Sequence, residues 1–92
     1  MNDKLQALLK SLNITKEGKM SNNKYLITLD NSDEYSRMYT NLDKNADTYL
    51  DPEGMIMSSS TSLMTYLTDD FDITLKADFD NDKYYLIIEE AK

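Results

Sequence analysis

The chain has 92 residues, 40% hydrophobic and 29% charged, which is enough for one folded domain and too few for two. Seventeen Asp and Glu against ten Lys and Arg leave a net charge of −7, a balance that disfavours direct binding to nucleic acid. Cysteine, histidine and tryptophan are absent, which excludes disulfides, thiolate or imidazole metal sites, and every nucleophile system built on Cys or His.

Leu5, Leu8, Leu9 and Leu12 recur at i, i+3, i+4 and i+7, the spacing of one helical face. Asn2 or Asp3 can cap the start of that helix and Asn13 can end it. Tyr25, Ile27 and Leu29 alternate with more polar neighbours, so a strand with one buried face is expected there. The polar Ser21-Asn22-Asn23 before it is turn chemistry, which makes Thr15–Met20 its hairpin partner. Tyr35, Met38, Tyr39 and Leu42 return to helical spacing and predict a second helix over 33–42, capped by Ser32 with Asp33 and Glu34 in the first turn.

Residues 43–53 are rich in Asp and Asn and contain Pro52, so a loop is expected, followed by a short strand at Met55-Ile56-Met57. Periodicity does not decide between helix and strand for 60–68, but Ser60 or Thr61 as a cap favours a helix. Phe71, Ile73, Leu75 and Ala77 then alternate with polar residues. A five-residue polar connection leads to Lys83–Glu90, where Tyr84 to Ile88 are all apolar. This predicts a β-hairpin whose second strand is covered on both faces and central in its sheet. The expected fold is therefore α+β: a single domain, 1–92, with two helices packed on a small antiparallel sheet that ends in a C-terminal hairpin.

The stretch Asp43-Lys44-Asn45-Ala46-Asp47-Thr48-Tyr49-Leu50-Asp51 resembles the calcium loop of the EF-hand family. The resemblance implies ligands at Asp43, Asn45, Asp47 and Asp51, with the Tyr49 carbonyl at position seven. Thr48 stands where that loop needs Gly, and Gly54 where it needs a bidentate Glu, so a solvated acidic loop is the expectation rather than a metal site. Only Gly18 and Gly54 are present, which leaves no glycine-rich phosphate cradle. No constellation suited to catalysis is visible, so the chain is expected to be no enzyme and to need no cofactor.

Charge is spread unevenly. Residues 1–24 carry a net +3, whereas 25–92 carry −10. Thirteen of the seventeen carboxylates fall in 30–53 and 69–82. Such a surface complements a basic groove and is steered toward one. The expected partner is a basic protein, a nucleic-acid-binding enzyme in particular. Its contacts would be Asp43, Asp47 and Asp51 in the first stretch and Asp69, Asp70, Asp72, Asp78, Asp80 and Asp82 in the second. The longest apolar run, Tyr84–Ile88, is far shorter than the ~20 residues of a membrane-spanning helix. No basic region followed by an apolar stretch opens the chain, so a cytoplasmic protein without a membrane partner is expected.

In size, acidity, lack of Cys and His, AT-rich residue usage and α+β layout, the chain resembles small phage-encoded inhibitors of bacterial defence, the anti-CRISPR proteins that block Cas nucleases. The resemblance rests on no motif and transfers no residue. It implies a mode of action, occupation of a nucleic-acid groove by a protein that mimics phosphate charge. The alternative is a small acidic regulatory or structural interaction domain, since net charge also serves solubility.

Overall fold

The computed structural model describes residues 2–45, 49–50, 56–57 and 60–91. Two helices, α1 (Asn2–Ser11) and α2 (Ser32–Asn45), accompany strands β1 (Lys19–Ser21), β2 (Lys24–Leu29), β3 (Tyr49–Leu50), β4 (Ile56–Met57), β5 (Thr61–Leu67), β6 (Phe71–Asp78) and β7 (Lys83–Glu90). The strands form one antiparallel sheet in the order β1-β2-β7-β6-β5-β3, with β4 also paired to β5. This is the expected α+β architecture, with β7 in the middle.

The leucine stripe of α1 packs as its spacing requires: Leu5, Leu9 and Leu12 are buried, and Leu8 lies against the same core. Asn13 terminates the helix in the left-handed region at φ 57°. The amide of Ile14 donates to the carbonyl of Leu9 (2.9 Å) and that of Asn13 to Lys10 (3.1 Å), the bonds of a Schellman cap. Between β1 and β2, Asn22 and Asn23 both have positive φ, 50° and 66°, as a two-residue hairpin turn of the twist-compatible type requires. The partner strand covers Lys19–Ser21 only, shorter and later than the expected Thr15–Met20.

The cap of α2 is Asn31, not Ser32. Its Oδ1 accepts from the Glu34 amide at 2.9 Å, while Glu34 Oε2 accepts from the Asp30 amide at 2.7 Å. The first bond satisfies a donor that the helix start leaves open, and the second ties Glu34 back to the residue before the cap, a variant of the capping box. The helix also runs three residues further than expected, so Asp43, Lys44 and Asn45 are helical rather than loop.

The second correction concerns residues 61–67, which form strand β5, not a helix. Ser62, Met64 and Tyr66 alternate inward, and seven consecutive pairs with β6 decide the matter where local periodicity could not. A buried Ser62 at the head of that inward row hides the pattern in the sequence.

Ile27 and Leu29 of β2, Met64 and Tyr66 of β5, Phe71, Ile73, Leu75 and Ala77 of β6, and Tyr84, Leu86 and Ile88 of β7 share one face and join the helix leucines and Leu42 in one core. Each large side chain buried there contributes about 1.5–3 kcal/mol. The other face carries Leu26, Leu63, Leu67, Tyr85 and Ile87, all only half-buried. β7 is therefore central but not covered on both faces, contrary to the expectation from its apolar run. Both helices lie on one side of the sheet, and no described helix is long and apolar enough to cross a membrane.

Candidate protein-binding surface

β6 rises from the β5–β6 turn to the β6–β7 turn, so its two ends are roughly 24 Å apart. The carboxylates of 69–82, contiguous in sequence, divide between them. Asp69 and Asp70 sit at one end, where Asp70 meets the Lys4 ammonium at 3.4 Å between two exposed side chains. Asp72 follows on the open face, half-buried and paired across the ladder with Leu67 and Glu89. Asp78, Asp80 and Asp82 belong to the opposite end. Asp43 is exposed on the last turns of α2. Asp47 and Asp51 fall outside the described residues.

The β6–β7 turn has four residues, Phe79 to Asp82, because Asp78 pairs with Lys83 and closes the ladder. Asp78 works for the turn itself: its Oδ2 accepts from the Asn81 side-chain amide at 2.8 Å and its Oδ1 from the Asn81 backbone amide at 3.3 Å. The bond from the Asn81 side chain, above all, holds its carboxyl below the usual range. Asp82 takes positive φ, 52°, which Asp tolerates better than most residues.

Phe79 is 46% exposed, unusual for a phenylalanine, yet it is not loose. Its ring meets Tyr35 of α2 edge-on, with centroids 6.0 Å apart and planes at 88°, and meets Tyr84 at 6.0 Å and 67°. Tyr35 and Tyr84 close the triangle at 5.5 Å. Edge-to-face pairs of this kind add about 0.5–1.5 kcal/mol each beyond burial. Interaction with Asp82 is the main cause that pushes the Tyr84 hydroxyl's pKa up, burial adds to it, and Ser32 opposes it. The ring contacts thus join the β6–β7 turn to α2, and Asp33, Asp80 and Asp82 on these two elements are exposed.

Two further carboxylates, Asp30 and Glu34, share one lysine. Lys16 Nζ lies 3.0 Å from Asp30 Oδ1, and 2.9 and 3.1 Å from the two oxygens of Glu34. The bond to Glu34 is the main cause that raises the Lys16 pKa, and the same bond lowers that of Glu34. By contrast, no basic side chain pairs with Asp33, Asp80 or Asp82 among the described residues.

Neither Phe79 nor Tyr35 was expected at a binding surface. The available signal was a single aromatic inside an otherwise polar connection, Asp78-Phe79-Asp80-Asn81-Asp82. Asp33 was visible only as part of a carboxylate-rich stretch. The EF-hand resemblance fares poorly, since positions one and three of its loop, Asp43 and Asn45, lie in α2. Among the described residues no three acidic side chains converge as metal ligands. A cleft of about 620 Å³ lies between α1 and the segment that follows it, lined by Leu9, Lys10, Lys16 and Tyr25 among others. Its lysine at 16 is committed to Glu34, and the Tyr25 hydroxyl accepts from the Gly18 amide at 2.8 Å. No protein family, curated protein or solved structure matches the chain.

Proposed function

We propose that this chain is an acidic protein-binding inhibitor that seats its β6–β7 end in the basic, nucleic-acid-binding groove of a partner and competes there with DNA or RNA. The observation that carries this reading is the exposed Phe79, braced by Tyr35 and Tyr84, on elements that also expose Asp33, Asp80 and Asp82, none of which pairs with a basic side chain among the described residues. An aromatic held rigid before binding loses little freedom on contact, and such residues dominate binding energy at interface centres. Carboxylates at the rim stand in for phosphate charge, steer the approach to Lys and Arg, and raise the association rate. The narrower reading, that the partner is a Cas nuclease, rests on the class resemblance alone.

The test is displacement of a labelled DNA duplex from nucleic-acid enzymes with Lys- and Arg-lined channels, Cas nucleases first, followed by fluorescence anisotropy. The wild-type protein is expected to displace DNA, less effectively as salt rises and the screening length falls from ~10 Å at 0.1 M toward ~3 Å at 1 M. The triple variant Asp33→Asn, Asp80→Asn, Asp82→Asn leaves the turn-closing Asp78 intact and is expected to weaken competition about tenfold, mainly through slower association. Phe79→Ser is expected to speed dissociation. Failure to displace DNA from any enzyme of the panel, or equal competition by the triple variant, overturns the proposal.

A further inference from the structure

We infer that the open face of the sheet is the contact surface between two copies of this chain, related by a two-fold axis that runs across the strands through Thr74. The alternation of buried and half-buried residues along each strand defines this face. In register across the sheet, Leu26, Ile87, Thr74 and Thr65 form one row on the side away from both helices. Two residues along each strand in one direction lie Lys24, Glu89, Asp72 and Leu67, with Lys24 and Glu89 ion-paired at 4.0 Å; two residues in the other lie Thr28, Tyr85, Lys76 and Leu63. None of the described elements lies across this face, and its five large apolar side chains are only half-buried.

The pattern is its own complement. A two-fold axis along the Thr74 row lays each strand antiparallel over its own copy, so a residue two places above the row faces one two places below it. Asp72 then stands over Lys76 of the second copy, and Lys76 over its Asp72. Leu67 meets Leu63, and the Glu89 carboxylate meets the Tyr85 hydroxyl, each contact occurring twice. On the axis, Ile87 meets Ile87, and the hydroxyls of Thr74 and Thr65, 3.4 Å apart within one chain, meet their own copies. Sheets packed face to face lie about 10 Å apart with strands near −30°, a separation these side chains span. Isologous contact of this kind is the commonest route to a soluble dimer.

The charge arrangement is what selects a second copy over other occupants. A membrane surface or a strongly charged partner calls for one sign of charge across the face, whereas here Lys24 and Glu89 pair within the chain and the remaining opposite charges, Asp72 and Lys76, sit at equal distances on either side of the central row. Asp72 and Lys76 are two residues to each side of Thr74, roughly 6.8 Å along the strand. The patch spans four strands at about 4.8 Å spacing, which places the contact at the small end of specific interfaces and its dissociation constant in the micromolar range. The acidic β6–β7 ends then project from opposite ends of the pair and remain free.

Sedimentation velocity on the full chain from roughly 5 µM to 500 µM tests the inference, since that range brackets a micromolar constant. The wild type is expected to pass from monomer to dimer. Asp72→Lys and Lys76→Asp each replace two attractions by two like-charge contacts, and each is expected to raise the dissociation constant at least about tenfold. The double swap restores the pairing with its polarity reversed and is expected to return the constant to within about threefold of wild type. Lys76 is exposed, so Lys76→Asp carries the single-variant test should Asp72→Lys fail to fold. A wild type that stays monomeric throughout assigns the face to some other occupant and overturns the inference. So does a dimer indifferent to both single swaps, or one the double swap does not rescue.

Discussion

Leu86 and Ile87 are neighbours in the central strand, yet the pleat sends one into the core and the other to the open face. Replacing each in turn by Thr leaves a β-branched residue, suited to extended backbone, at either position, so the difference between the two losses reports what the side chain meets. Leu86 is 0% exposed and stands between Ile27 and Leu75 in the ladder. Leu86→Thr removes apolar volume from a closed site at about 2–3 kcal/mol and buries a hydroxyl with no reserved partner, at about 1–3 kcal/mol more. A total near 4 kcal/mol is a large share of the roughly 5–15 kcal/mol that a small domain possesses. At about 4–8 °C per kcal/mol for a domain of this size, the melting temperature should fall by roughly 15–30 °C. Ile87→Thr trades half-buried contact for a hydroxyl that water can reach, at about 1 kcal/mol or less, so the midpoint should move by about 5 °C. Thermal and urea unfolding followed by circular dichroism at about 0.5 µM, below the concentrations of the sedimentation series, gives both numbers. Equal losses at the two positions would refute the one-sided core, and a larger loss at Ile87 would invert it.

The Lys16–Glu34 pair predicts a pH dependence with a definite sign. The Glu34 carboxyl is held below its ordinary value of 4.5, so its contribution is present above that value and is lost as pH falls through its lowered folded value. Glu34→Gln should therefore lower the neutral plateau by that modest contribution and flatten the acid limb, so that variant and wild type converge at low pH, as unfolding between about pH 2 and 7 will show. Gly18 has no room for a side chain: a Cβ there would lie 2.8 Å from Ile27 Cγ1 and would press on the Leu26 backbone. Gly18→Ala should cost about 1–3 kcal/mol, read as a lower urea midpoint with unchanged slope, and an unchanged midpoint would mean that the segment before β1 yields.

Local signals carried the fold a long way. The leucines of α1 and the alternation of Phe71 to Ala77 are unambiguous periods, and both elements lie where those periods put them. The errors fall where a local signal has two readings and a distant contact chooses. Ser60-Thr61-Ser62 reads as a helix cap until β6 supplies a ladder for β5. Asn31 and Ser32 are both good caps, and the choice falls on the residue that places Glu34 three positions on. The five apolar residues from Tyr84 to Ile88 say that a strand is central, but not that helices cover one side alone. The acidic surface was legible as composition and not as geometry, because a strand of eight residues carries Asp72 and Asp80 to opposite ends of the sheet. The aromatic triangle needs Tyr35, Phe79 and Tyr84 brought together from two elements and a turn, a proximity that no spacing encodes.

The place of β7 bears on the order in which the molecule can be built. Leu29 pairs with Tyr84 and Tyr25 with Ile88, so the β1–β2 hairpin, though finished early in synthesis, has its only long neighbour in residues translated more than fifty positions later. Until then the apolar side of α1 and β2 has no floor to rest on. The β5–β6–β7 meander, whose pairings are all local, can assemble quickly and serve as the template. Chain entropy makes the last closure, β2 onto β7, the slow event. A ribosome-bound chain that stops short of residue 83 is thus expected to remain open and sensitive to protease along its first half, and to gain protection in a single step once the final strand emerges.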